Sequence, residues 1–125
     1  MRRPAARRGP MANSQTPLTP ALFNVLLALS DGDKHGYAIL KEVEEHTSGE
    51  VLLSTGTLYG IIKRLLAEGL IVELRSRPAA HDDQRRRYYH LTDEGRRVAV
   101  AEAERMAKLL ARARGKRLIR SLRPA

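Results

Sequence analysis

STGTLYGIIKRLLAEGLIVELR, residues 54–75, changes its period part-way along. Up to Gly69, the apolar residues Leu58, Ile61, Ile62, Leu65 and Leu66 fall on one side when each residue is turned about 100° from the last. The opposite side carries Gly56, Thr57, Gly60, Lys63, Arg64 and Ala67. Ser54 stands where an N-cap belongs and Gly69 where a helix stops, so the spacing predicts a helix over 55–68. Beyond Gly69 the period drops to two, and Ile71, Val72, Glu73, Leu74 and Arg75 read as a strand.

Upstream, Thr19 can cap a helix and Pro20 suits its first turn, where a missing N–H costs nothing. Leu22, Phe23, Val25, Leu26, Leu27 and Leu29 surround most of that axis, which predicts a buried central helix ended by Ser30-Asp31-Gly32-Asp33. A second helix is expected over 36–47, with Tyr37, Ile39, Leu40, Val43 and Thr47 on one side and Glu42, Glu44 and Glu45 turned away. Downstream, 76–84 reads as a turn or loop containing Pro78. Residues 85–91 read as the returning strand of an antiparallel hairpin, with Tyr88 and Tyr89 on opposite faces. Thr92 caps a fourth helix that runs to about Arg114, with Asp93 and Glu94 at its positive end.

The order is helix, helix, helix, strand, strand, helix: a mostly α chain with a small β-hairpin, in the winged helix-turn-helix arrangement. Three parts follow: a flexible basic tail over 1–17, the winged helix over 18–91, and a C-terminal dimerisation helix with a basic tail over 92–125. Met11 offers a second start position.

Composition narrows the function. The chain has 125 residues, 42% hydrophobic and 30% charged, which suits one soluble globular domain. No apolar run approaches the roughly 18 residues of a membrane span, and no apolar h-region follows the Arg-rich start. The absence of Cys excludes a disulfide scaffold, a thiolate nucleophile and a Cys-ligated zinc site. One Phe and no Trp argue against single-strand binding by base stacking. His81-Asp82-Asp83 lacks a third ligand, so no metal is expected, and His35 reads as a structural polar residue. No Ser-His-Asp order, P-loop or paired carboxylates emerge, so neither an enzyme nor a cofactor is expected.

A net charge of +9 favours a polyanionic partner. Its distribution is uneven. Residues 1–10 hold four Arg and no acid, while 11–53 hold two Lys against six acids; 54–91 hold seven bases against four acids, and 92–125 ten against four. In a helix-turn-helix the second helix of the motif enters the major groove, which here is the helix at 55–68. Gly56 and Gly60 each cost roughly 1 kcal/mol relative to Ala in a helix interior. Close approach to DNA is one reason for that cost; packing against another helix of the same protein is the alternative. Ser54 and Thr55, with the first free N–H groups, can hold a phosphate. Arg75, Arg77, Arg85, Arg86 and Arg87 cluster around the hairpin and suit phosphates and narrow minor grooves.

Several segments together resemble the PadR family of bacterial transcriptional regulators. They are 18–29, His35-Gly36-Tyr37-Ala38-Ile39, residues 56–65, Glu68-Gly69-Leu70-Ile71, and 87–95. The resemblance covers about residues 18–110. It implies a cytoplasmic, nucleoid-associated dimeric repressor that reads a palindromic duplex operator with the third helix and wing. By the same likeness, Thr57, Tyr59 and Lys63 would sit at DNA and Tyr37 near its backbone. Family members usually have Pro where this chain has Gly60, which bears on the local path of the helix. The short C-terminal part resembles the subgroup with one terminal helix. Some members of that subgroup hold flat aromatic drugs between Trp side chains, a mode this Trp-free chain does not inherit. An effector of other chemistry would find its pocket between the first and fourth helices and the partner chain.

The fourth helix argues for pairing independently. Its stripe of Val98, Ala99, Ala103, Met106, Leu109, Leu110 and Ala113 cannot be covered by the few residues that follow, whereas a two-fold partner could cover it. Packing on the first helix is the alternative, and both can hold along different parts. Two other functions stay open: sequence-neutral nucleic-acid binding by the tail and C-terminal arginines, and partner binding by a fold that no longer reads DNA.

Overall fold

The side chain of Thr19 accepts the Leu22 N–H at 3.1 Å and Pro20 takes the first helical position, which starts α1 (Pro20–Leu29). The computed structural model describes residues 18–74 and 87–119; the expected basic tail, the hairpin tip and the last residues lie outside them. In α1, Leu22, Val25, Leu26, Ala28 and Leu29 are buried at the centre of the core. Leu27 is half exposed, so one line of this apolar helix faces outward.

The turn after α1 is held by Lys34, whose Nζ donates to the Ala28 carbonyl and to Asp31 Oδ1, both at 2.6 Å. The same contact holds the Asp31 carboxyl below the usual carboxylate range. Lys34 and His35 form a short strand, β1 (Lys34–His35), and α2 (Gly36–His46) follows directly. His35 is the N-cap of α2: its Nδ1 accepts the Ala38 N–H at 3.2 Å. The helix ends one residue earlier than the spacing predicts. Thr47 takes the cap position, and its hydroxyl donates to the Val43 carbonyl.

Helix α3 (Thr55–Ala67) stops one residue before the expected end, with Glu68 as cap and Gly69 at φ 75°, the left-handed region that favours glycine. It runs unbroken through Gly60, the position where the resemblance expects Pro. β2 (Ile71–Leu74) and β3 (Tyr88–Leu91) pair antiparallel from Ile71↔Leu91 to Leu74↔Tyr88. The sheet has three strands rather than the hairpin's two. β1 pairs with β3 through Lys34↔Tyr89 and His35↔Tyr88, giving the order β1-β3-β2. Tyr89 is buried and Tyr88 half-buried, as alternation across a strand requires. Burial pushes the Tyr89 hydroxyl above the usual phenol range.

Helix α4 (Asp93–Gly115) is fastened where α3 ends. Thr92 Oγ1 donates towards the Gly69 and Leu70 carbonyls at 2.8 and 3.0 Å and accepts the Gly95 N–H at 2.9 Å. Gly95 sits so close that a Cβ there would run into the Leu70 carbonyl oxygen. Arg96 adds a bond to the Ser30 carbonyl at 3.0 Å. The first turns of α4 therefore belong to the core. The helix is about 34 Å long, and its second half is exposed along nearly all its residues.

Candidate nucleic-acid interface

The side chain of Ser54 makes the start of α3. It accepts the Thr57 N–H at 3.0 Å and donates to Thr57 Oγ1 at 2.9 Å. The helix geometry leaves the N–H groups of Thr55 and Gly56 without an intrahelical acceptor, and no acidic residue stands in the first turn. That end carries the partial positive charge of the helix dipole, open to solvent.

Leu58, Ile62 and Leu65 anchor α3 in the core. Ser54, Thr55, Gly56, Thr57, Tyr59, Gly60, Lys63 and Arg64 are all exposed. Among the described residues a Cβ built on Gly56 or Gly60 meets nothing within 4 Å, so neither glycine serves packing against any of the described helices. Lys63 has no carboxylate within salt-bridge reach among the described residues. Arg64, by contrast, donates from Nε to Glu68 at 3.0 Å. One free and one committed cation thus share this face.

Tyr59 points to the α2 side of that face. Its hydroxyl lies against Gly36, where a Cβ would collide with it, yet the residue stays 46% exposed. Tyr37 is 58% exposed at the start of α2. Its ring stacks on His35 at 6.5 Å, and His35 in turn meets the edge of Tyr88 at 5.2 Å. Lys41 was not foreseen here; its Nζ lies 5.9 Å from the centre of the Tyr37 ring. The i,i+4 spacing of the two residues was the available signal.

In the wing the structure describes the stems. Arg87 is exposed and sits 3.5 Å from Glu73. Arg75, Arg77, Arg85 and Arg86, with His81 and its neighbouring aspartates, lie outside the described residues. Among the described residues no group of three His, Asp or Glu could hold a metal ion, and no helix is long and apolar enough to cross a membrane.

The stripe of α4 divides. Val98 and Ala99, expected at a dimer contact, pack against the core of their own chain, because the Thr92–Gly95 fastening lays these turns there. Ala103, Met106, Leu109 and Leu110 are exposed and Ala113 is half-buried.

Residues 25–101 match the Transcriptional regulator PadR-like family. The chain belongs to the PadR-like family. Among its relatives, the transcriptional regulator Rv3488 of Mycobacterium tuberculosis is 35% identical over 90 residues, 72% of this chain and 78% of the relative. An uncharacterized 37.1 kDa protein in transposon Tn4556 of Streptomyces fradiae is 41% identical over 88 residues, 70% of this chain but only 23% of that protein. A PadR family transcription regulator from Clostridium difficile superposes with a TM-score of 0.63 at 28% identity, covering 74% of this chain and 95% of the other. Bacillus subtilis PadR, solved in complex with operator DNA, superposes at 0.57 with 22% identity, over 66% and 47%, a likeness of fold. The winged-helix arrangement and the family of regulators are thus those the PadR resemblance implied.

Proposed function

We propose that the protein is a dimeric, sequence-specific DNA-binding regulator that represses transcription from a palindromic operator, reading it with α3 and the wing. The outward face of α3 carries the reading. It combines two glycines with open space beside them, a helix N-terminus free of acids and an exposed Lys63 with no carboxylate in reach among the described residues. Bare backbone at Gly56 and Gly60 lets the helix lie deep in the major groove, where base edges are legible. Ser54, Thr55 and Gly56 offer the start of α3 to a phosphate, while Tyr37, Arg87 and the wing arginines at 75, 77, 85 and 86 hold the flanking backbone. Thr57, Tyr59 and Lys63 face the bases, and Arg64 joins them by exchanging Glu68 for phosphate.

The exposed second half of α4 supplies the dimer. Met106, Leu109 and Leu110 form an apolar strip that a two-fold partner covers. Two α3 helices then meet successive major grooves about 34 Å apart. Affinity comes largely from phosphate contacts and base choice from α3.

The test is selection of a duplex from a random pool, then binding of selected and random duplexes at several salt concentrations. The expected result is a selected palindrome bound at least 1,000-fold more tightly than random sequence, within the usual range for specific binders. Lys63→Ala should weaken binding at every salt concentration. Equal affinity for both duplexes, or an unaffected Lys63→Ala protein, overturns the assignment.

A further inference from the structure

Beyond Glu104 the chain changes character: residues 105–125 contain eight Lys and Arg and no Asp or Glu. In the described part of this stretch, Lys108, Arg112 and Lys116 follow at four-residue spacing, all exposed. None of the three has a carboxylate within salt-bridge reach among the described residues. Arg105 differs, since it is taken up by Glu102 through bonds of 3.1 and 2.5 Å. A turn of about 100° per residue gathers Lys108, Arg112 and Lys116 within roughly 80° of arc. A rise of about 1.5 Å per residue sets them roughly 6 Å apart along the axis. Like charges at this spacing repel one another, while the negative C-terminal end of the helix dipole favours Arg112 and Lys116 there.

The centre of the stripe lies about a third of a turn round from the centre of the strip formed by Met106, Leu109, Leu110 and Ala113, with Leu109 at their border. A partner covering the apolar strip therefore leaves the cations facing water. α4 packs on α1 and β3 through its first turns, whereas α3 packs on α2 and β2, so the two basic faces stand on helices with different neighbours.

We propose that the outer face of α4, through Lys108, Arg112 and Lys116, is a second docking surface, indifferent to sequence, for the phosphate backbone of a duplex other than the one α3 reads. Evenly spaced cations suit a regularly charged, hydrated polyanion, and each DNA strand offers a phosphate every ~3.4 Å of axis. A membrane surface would need the apolar strip that adjoins the cations through Leu109, and the two-fold partner takes that strip. Single strands would need rings to stack on, and no Phe, Tyr or Trp follows Tyr89. The inference rests on the proposed function for the identity of the first duplex and for the partner that covers the apolar strip.

The experiment uses the full chain, an immobilised operator duplex and a labelled random-sequence duplex as probe. Wild type should hold the probe on the operator surface. A triple variant, Lys108→Gln with Arg112→Gln and Lys116→Gln, should bind the operator with unchanged affinity and lose the probe. Three phosphate contacts correspond to a roughly 40-fold loss of affinity between about 50 and 200 mM salt. Wild-type probe binding should therefore fall by about that factor more than the variant's over this range. If α3 does not read the operator, the surface captures no protein, yet the triple substitution still weakens probe binding in solution. If the stripe does not bind duplex, operator capture persists and the substitution leaves probe binding unchanged, which overturns the proposal. Binding of phosphatidylglycerol vesicles through these three residues, with the probe ignored, overturns it as well.

Discussion

Replacing Gly60 with Ala should raise stability and lower operator affinity together. Gly60 is the sixth of thirteen residues in α3, well inside the helix. Ala there is better than Gly by about 0.8–1.0 kcal/mol, because the glycine loses more backbone freedom on folding. Nothing among the described residues opposes the methyl group, since an added Cβ meets none of them within 4 Å. For a domain of this size, about 1 kcal/mol raises the melting temperature by about 4–8 °C. On DNA the same methyl group occupies space that this chain, unlike family members with Pro there, leaves open for the groove. It sets α3 back, and the shallow approach stretches the contacts of Thr57 and Lys63. A loss of about tenfold or more in operator affinity, at least ~1.4 kcal/mol, is expected, with affinity for random duplex unchanged. The assay is thermal unfolding at fixed protein concentration, beside fluorescence anisotropy with selected and random duplexes. A more stable Gly60→Ala protein with undiminished operator affinity would refute the claim that bare backbone is kept for DNA. A less stable one would refute the open space around Gly60.

Gly95→Ala should cost about 2 kcal/mol or more in urea unfolding, since its methyl meets the Leu70 backbone rather than a yielding side chain. Gly115→Ala, which meets nothing, should cost nothing. Glu102 is held below the usual carboxylate range, chiefly by the hydrogen bonds from Arg105. Its contribution to stability is present above the unfolded-state value near 4.5 and is lost as the pH falls through the lower folded-state value. Glu102→Gln should therefore be less stable than wild type at neutral pH and converge on it in acid, as followed by unfolding across a pH series. Leu109→Asp with Leu110→Asp should leave the far-UV circular dichroism of the winged helix intact and yield monomers in sedimentation velocity. A dimer that persists would move the interface away from α4.

Three helices were legible from chemistry local to the chain, with Thr19, Ser54 and Thr92 as caps and Gly69 as a stop, whereas α2 showed only its apolar spacing and its cap, His35, read as a structural polar residue. β1 was not. A strand of two polar residues, Lys34 and His35, carries no alternation, and only its pairing with Tyr89 and Tyr88 makes it a strand. Lys34, one of two lysines in an acidic segment, ties the Ala28 carbonyl to Asp31 in the fold. The apolar stripe of α4 showed the sequence what must be covered, not by what. Val98 and Ala99 turned out to face their own core because Thr92 and Gly95 fasten the helix there, a tertiary contact with no periodic signature. The outward side of α3 was readable because core anchoring by Leu58, Ile62 and Leu65 fixes which residues remain outside. The partner of Tyr59 was not, since its position over Gly36 depends on how α2 crosses α3.

Hydroxyl-radical footprinting of a selected duplex tests most directly whether two copies of α3 enter DNA. Two protected patches are expected on one face of the duplex, about one helical turn apart, both weakened when Thr57 and Lys63 are replaced by Ala. Uniform protection, or two patches indifferent to those replacements, would contradict it.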